Sequence, residues 1–189
     1  MLTDVCSTKQ ALVRVAAASG LAGRFVGGHP MCGSSEKGVE HADETIFRKS
    51  LCILTPTPAT QRDTLRRVKG FWSALGMSVM RLTPAEHDRR VALASHLPQV
   101  LATALMASQS KASIAVAGKG LTDTTRLAAS DGRLWADILL SNADAVRSAV
   151  ARLDGELRTL VAALRVGDRR TIERLFSRGQ ARRADLLRR

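Results

Sequence analysis

The stretch Arg24-Phe25-Val26-Gly27-Gly28-His29-Pro30-Met31-Cys32-Gly33 decides how this chain is read. Its short apolar run predicts a strand over 24–28. The paired glycines let the backbone pass close to a ligand, and Pro30 fixes the turn that follows. His29 then falls at the carboxyl end of the strand. In open α/β sheets ligands bind there, because strand ends and the loops after them line the crevice outside the sheet. Taken alone, a loop histidine is more often a hydrogen-bonded structural residue than a functional one.

Working outward, Thr3-Asp4-Val5 reads as the end of an earlier strand. Ser7 or Thr8 can cap a helix from Lys9 to Ser19, which carries Leu12, Val13, Val15 and Ala16 and stops at Gly20. Residues 50–55, bounded by Pro56 and Pro58, predict a further strand, residues 61–75 a helix ending at Gly76, and residues 77–82 a last strand. This alternation predicts a mainly parallel sheet with crossover helices, the C-terminal half of a Rossmann-like α/β domain. No strand followed by Gly-x-Gly-x-x-Gly lies ahead of Asp4, so the half that would cradle a pyrophosphate is expected to be missing from these residues.

A boundary follows at Thr83-Pro84-Ala85-Glu86, where Thr83 can cap a helix, Pro84 suits its first position and Glu86 can complete a capping box. Every periodic segment beyond it is helical: 86–95, a continuation past Pro98 to Met106, a short helix near 124–129, then 134–141. The longest runs from Ala143 to Val166, with Val146, Ala149, Val150, Leu153, Leu157, Leu160, Val161 and Leu164 on one stripe that needs a partner helix. The expected organisation is a partial nucleotide-binding domain over 1–82 and an all-helical domain over 83–189, an α/β plus all-α chain. Residues 31–45 and 117–123 read as linkers.

Composition narrows the function classes. Of 189 residues 45% are hydrophobic but only 3% aromatic, with no Tyr, so the core is built from Ala, Leu and Val, which suits closely packed helices. The net charge of +12 raises the possibility of a nucleic-acid partner. Yet nine arginines fall between Arg165 and Arg189, mostly at helical intervals around Leu164, Ile172, Leu175 and Phe176. They read as the solvated face of a terminal helix, and without a nucleic-acid motif no nucleic-acid partner is expected. Cys6, Cys32 and Cys52 make an odd count without a Cys-x-x-Cys pair, which signals neither a disulfide framework nor a metal site. The most apolar window, 91–106, is interrupted by Ser95, His96, Pro98 and Gln99, and no leader or membrane span is expected. A reduced, cytoplasmic protein is the resulting expectation.

Four motifs in order along the chain carry a resemblance: Asp4-Val5-Cys6-Ser7-Thr8-Lys9, His29-Pro30-Met31-Cys32-Gly33, Ser95-His96-Leu97-Pro98 and Asp123-Thr124-Thr125-Arg126. Together they resemble the prephenate/arogenate (cyclohexadienyl) dehydrogenase family of tyrosine biosynthesis. The resemblance implies an oxidative decarboxylation in which hydride passes to NAD or NADP, carbon dioxide leaves and the ring becomes aromatic. It implies that His29 takes the proton of the substrate's ring hydroxyl, a task that suits imidazole because its ordinary pKa lies near working pH. Ser7 would lie beside that histidine and the nicotinamide, although a helix N-cap is its plain structural reading, and Gly33 would lie on the cofactor side. Arg126 would clamp the ring carboxylate of prephenate or arogenate, with Asp123 holding it through an i, i+3 pair; a surface arginine in a helical salt bridge is the alternative.

His96 is implied in the substrate pocket, and so is Trp135, although a lone helical Trp is usually core. Where many relatives place a second histidine after His-Leu-Pro, this chain has Gln99, which keeps hydrogen bonding but carries no charge. The Glu36-Lys37 pair stands one residue later than relatives often place it, so Glu36 is a weak candidate. His41 and His87 match no role and are expected to face solvent. Relatives associate through the helical domain, so a homodimer is expected. The alternative function is a catalytically inactive helical dimerisation module.

Overall fold

The computed structural model describes residues 1–33, 38–43 and 45–188, and divides into two compact units, Met1–Val146 and Arg147–Arg189. Glu36 lies outside the described residues.

The first unit is built on a four-stranded sheet in the order β1 (Leu2–Thr3), β2 (Phe25–Pro30), β3 (Leu51–Thr55) and β4 (Ser78–Arg81). Helix α1 (Gln10–Ala18) carries the chain from β1 to its parallel neighbour β2, and α2 (Arg62–Ala74) does the same from β3 to β4. Between them, β2 and β3 pair antiparallel, with Gly27 opposite Thr55 and His29 opposite Ile53. The sheet is therefore mixed rather than parallel at every step. Parallel neighbours need a crossover, usually a helix. The connection from β2 to β3 holds only a 3₁₀ turn at Val39–His41 among its described residues, so the chain turns back on itself.

The core beneath the sheet joins Val26, Cys52 and Leu54 of the strands to Val68 and Trp72 of α2 and to Met77. Thr64, Val68 and Trp72 recur every four residues and form the buried stripe of α2. Trp72 meets the rings of Phe71 and Phe47 edge-on, at 5.1 and 5.9 Å between centroids. Each large apolar side chain so buried contributes about 1.5–3 kcal/mol by leaving water.

β2 runs two residues further than the sequence suggested, through His29 and Pro30, because the pairing continues to Cys52. Its glycines serve protein packing, not ligand approach. A Cβ on Gly28 would lie 2.7 Å from the Asp4 carbonyl oxygen and 2.9 Å from Thr3 Oγ1, and one on Gly27 would collide with Thr55.

The capping box forms as read: Glu86 N donates to Thr83 Oγ1 at 3.2 Å, and Thr83 N to Glu86 Oε2 at 3.0 Å. It opens α3 (Pro84–Val91). A π-helical turn at Ala92–His96 then leads into α4 (Leu97–Ala107), whose first turn holds Pro98. Such widened turns are frequent at functional sites. Next come α5 (Lys111–Ala115), α6 (Lys119–Thr125), a 3₁₀ turn at Arg126–Ala129 and α7 (Gly132–Ser141). The glycine-bearing stretch expected to be a linker is thus helical from Lys119, supported by an i, i+4 pair between Lys119 and Asp123 at 2.9 Å.

Helix α8 spans Ala143–Val166, the bounds its apolar stripe predicts, and its residues from Arg147 onward belong to the second unit. There it turns at Gly167, in the left-handed region at φ 66°, into α9 (Arg169–Leu187). Asp168 Oδ1 caps α9 by accepting from Thr171 N at 3.1 Å, and Arg178 ties α9 to Glu156 of α8 at 2.6 Å. The hairpin leaves Leu157, Val161, Leu164, Phe176 and Leu187 exposed. A groove of about 710 Å³ runs between Leu160, Leu175, Phe176, Arg183 and Leu187. The described arginines of α9 are exposed, as their spacing suggested. Among the described residues no helix is long and apolar enough to cross a membrane.

Candidate active site

His29 sits at the end of β2 with 9% of its surface exposed, and its Nδ1 is 2.8 Å from Nε2 of His87 on α3. His87 is fully buried, which corrects the expectation that it faces solvent. Its own Nδ1 lies 2.8 Å from Oδ1 of Asp88, also fully buried. That carboxylate further accepts from the backbone N–H of Lys9 at 2.8 Å and of Gln10 at 2.9 Å. Burial opposes ionisation of Asp88, but the His87 ring and these two N–H groups outweigh it and hold the carboxyl below its usual range.

These contacts constrain the proton positions. With Asp88 ionised, His87 donates from Nδ1; where both rings are uncharged, His87 Nε2 then accepts and His29 donates from Nδ1. The lone pair on His29 Nε2 remains, and no described residue takes it up. Burial first, then the neighbouring rings of His87 and His96 and the Lys9 ammonium, lower the His29 pKa to about 4. His29 is therefore an uncharged, oriented base at neutral pH.

The same contacts correct the capping of α1. Neither Ser7 nor Thr8 caps it; the Asp88 carboxylate does, from a different helix. An anion already occupies this helix terminus, so it is not a phosphate cradle. Thr8 Oγ1 instead meets Ser141 Oγ at 3.0 Å. Lys9 is fully buried, ion-paired with Asp4, and donates to the Gly28 carbonyl at 2.6 Å, while Gly28 N donates to Asp4 Oδ1 at 3.0 Å. The Asp4–Lys9 segment is thereby fastened to the residue preceding His29. Ser7 lies in that segment, partly buried, with no hydrogen bond to a described residue. Gly33 is exposed beyond the end of β2.

His96 ends the π-helical turn, 1% exposed. Asn142, between α7 and α8, donates from Nδ2 to the Asp88 carbonyl oxygen at 2.8 Å and approaches His96 Nδ1 at 3.4 Å. Trp135 of α7 stands edge-on to the His96 ring, with 6.0 Å between centroids and 83° between planes. It is thus neither plain core nor isolated. His96 Nε2 is buried without a partner, and burial lowers the ring's pKa. An unmatched buried polar group of this kind costs about 1–3 kcal/mol.

Gln99 is buried, but its amide serves the protein: Nε2 donates to the Leu127 carbonyl at 2.8 Å, and Ser130 Oγ donates to Oε1 at 3.4 Å. It ties α4 to the 3₁₀ turn that begins with Arg126. Arg126 is exposed and unpaired among the described residues. Asp123 does not hold it, since its carboxylate pairs with Lys119. An arginine without a protein anion is available to a carboxylate ligand.

The structure therefore brings His29 together with His87, Asp88 and Lys9, and links Asp88 through Asn142 to His96 and Trp135. Among the described residues no hydrogen bond joins Arg126 or Ser7 to that network. His87 was legible in principle: His87, Val91 and Ser95 recur every four residues, as do Asp88 and Ala92, and Val91 and Ala92 are plainly apolar. Asn142 carried no sequence signal.

Residues 1–81 match the family model described as prephenate dehydrogenase, nucleotide-binding domain, and residues 83–178 the one described as prephenate dehydrogenase, dimerization domain. Prephenate dehydrogenase of Bacillus subtilis is 35% identical over 77% of this chain and 41% of its own length. That of Lactococcus lactis is 30% identical over 95% of this chain and 51% of its own. The chain thus spans about half the length of these curated relatives. Among solved structures, prephenate dehydrogenase from Aquifex aeolicus in complex with hydroxyphenyl propionate and NAD+ superimposes with a TM-score of 0.87 at 32% identity, over 97% of this chain and 66% of that one. The motifs, the partial nucleotide-binding sheet and the helical region agree with both family models, and the chain belongs to the prephenate dehydrogenase family.

Proposed function

We propose that this chain carries the proton-accepting and substrate-binding part of an NAD(P)-dependent prephenate or arogenate dehydrogenase. The observation that supports it best is the buried His29–His87–Asp88 chain, which leaves a neutral imidazole with a free Nε2 at the end of β2. His29 Nε2 accepts the proton of the substrate's ring hydroxyl as the bond between the hydroxyl carbon and its hydrogen breaks. The positive charge that develops on the ring is stabilised through His87 by the Asp88 carboxylate. When bound, the nicotinamide accepts the hydride. The carboxylate leaves as carbon dioxide, its electron pair makes the ring aromatic and passes to the ring oxygen, and that oxygen takes the proton back from His29, so charge and atoms balance without a further reactant.

The residues present suit the nicotinamide end of that cofactor and not its phosphates. Ser7 has an unspent hydroxyl in the segment fastened to Gly28, and Gly33 follows the same strand end. The α1 terminus is closed by Asp88. On the substrate side, Arg126 grips the ring carboxylate and Gln99 sets the turn that carries it. The domain organisation that accompanies this reading is a partial nucleotide-binding domain over 1–82 and a helical domain over 83–189. A second copy covers the apolar groove between α8 and α9, giving a homodimer.

The test is kinetic and uses an enzyme completed by joining this chain to a glycine-rich nucleotide-binding half. Prephenate- or arogenate-dependent reduction of NAD or NADP is expected. Arg126→Gln should raise the substrate KM at least tenfold with a smaller change in kcat, since a carboxylate clamp acts in the ground state as well as the transition state. An unchanged KM in Arg126→Gln would remove Arg126 from the site.

A further inference from the structure

We propose that Asn142 is a positioning residue that fixes His96 as an Nε2–H donor, aimed at an acceptor oxygen of the ligand. The ligand half of this statement rests on the function proposed above; the tautomer half does not.

The orientation of the Asn142 amide is set independently of His96. Its Nδ2 lies 2.8 Å from the backbone oxygen of Asp88, and a carbonyl can only accept, so the NH₂ group and not the amide oxygen faces that way. The second N–H of the same nitrogen faces His96 Nδ1 at 3.4 Å. An amide NH₂ has no lone pair to offer, so His96 Nδ1 must be the acceptor and carries no proton. The ring is 1% exposed, and burial favours its neutral form. A neutral ring has one proton, and only Nε2 is left to hold it. That nitrogen is buried without a partner among the described residues, in a ring that stands edge-to-face with Trp135.

A fixed, desolvated donor selects by chemistry. It accepts a keto, hydroxyl or carboxylate oxygen and rejects an ammonium group, which offers only hydrogens. Asn142 also joins this donor to the proton-accepting chain, because its other hydrogen bond holds the backbone of Asp88. One side chain thus sets the register between the base on β2 and the donor at the end of the π-helical turn.

The experiment is imidazole ¹H–¹⁵N correlation spectroscopy on the uniformly labelled 189-residue chain, with the His96 signals assigned by their loss in His96→Gln. At pH 8 the expected pattern is an unprotonated Nδ1 and a protonated Nε2. Asn142→Asp should reverse it, because a carboxylate can only accept and draws the proton to Nδ1. If that variant fails to fold, Asn142→Ala gives the second reading: with the Nδ1 donor gone, the two tautomers mix and the Nε2–H signal weakens. A wild-type His96 protonated on Nδ1, or an unchanged Nε2–H in either folded variant, overturns the role of Asn142. Adding hydroxyphenyl propionate should shift the Nε2–H proton. An unmoved proton in the correct tautomer overturns the ligand half alone, and the Arg126 kinetics then decide whether the proposed function survives.

Discussion

Replacing His29 by Asn in the completed enzyme is expected to lower turnover by about a hundredfold or more, the range for losing a positioned general base. His29 Nε2 is a ring nitrogen that no described residue engages, and Asn offers no basic nitrogen in its place. Nucleotide affinity should hardly change, because the hydrogen bond that His29 makes runs inward to His87 and not toward a cofactor. The acid limb of kcat/KM should also disappear in the variant, since the group that titrates there is gone. Steady-state kinetics and nucleotide titration separate the two effects. Near-normal turnover of His29→Asn across the pH range would show that the proton leaves by another route.

The second large effect concerns stability. Asp88→Ala should destabilise the 189-residue chain by about 3–5 kcal/mol, measured by urea unfolding. One carboxylate satisfies the ring N–H of His87 and the backbone N–H groups of Lys9 and Gln10, and its removal strands all three out of water. It also takes the cap from α1. Asp88→Asn serves as the milder variant: its amide retains one acceptor oxygen, so its loss should be smaller but still more than 1 kcal/mol. If both variants lost less than that, water or a neighbouring group would be replacing the carboxylate, and the network would not be closed as described.

The regular elements were legible because each rests on local chemistry. The box at Thr83–Glu86 and the stripe of α8 depend on residues a few positions apart, and both appear where expected. The direction of β3 was not legible, since it depends on how a long connection, with no regular α-helix among its described residues, returns. The capping of α1 was misread for a related reason. Ser7 and Thr8 are good caps by type, yet the acceptor that reaches the helix end comes from Asp88, 78 residues beyond Gln10. His29, His96 and Arg126 were singled out through motifs. His87 and Asn142 were not, because a histidine with no motif defaults to the surface and an Asn between two helices looks like an ordinary junction. Their roles exist only where β2, α3 and the start of α8 meet. Gln99 shows the converse: a residue assigned to the substrate by its place in a motif spends its amide on the turn that carries Arg126.

The neutral state of His29 is the central claim, and its pH titration measures it directly. A lowered pKa means that the unfolded chain binds a proton the folded chain refuses between about 6.5 and 4. The stability tied to His29, about 3 kcal/mol, is therefore complete above pH 6.5 and is lost as pH falls through 4. Imidazole NMR of the folded chain should show the His29 ring uncharged at pH 6 and titrating near pH 4, with Nδ1 protonated and Nε2 bare. A His29 that titrates near 6.5, or one whose bare nitrogen is Nδ1, would contradict the account.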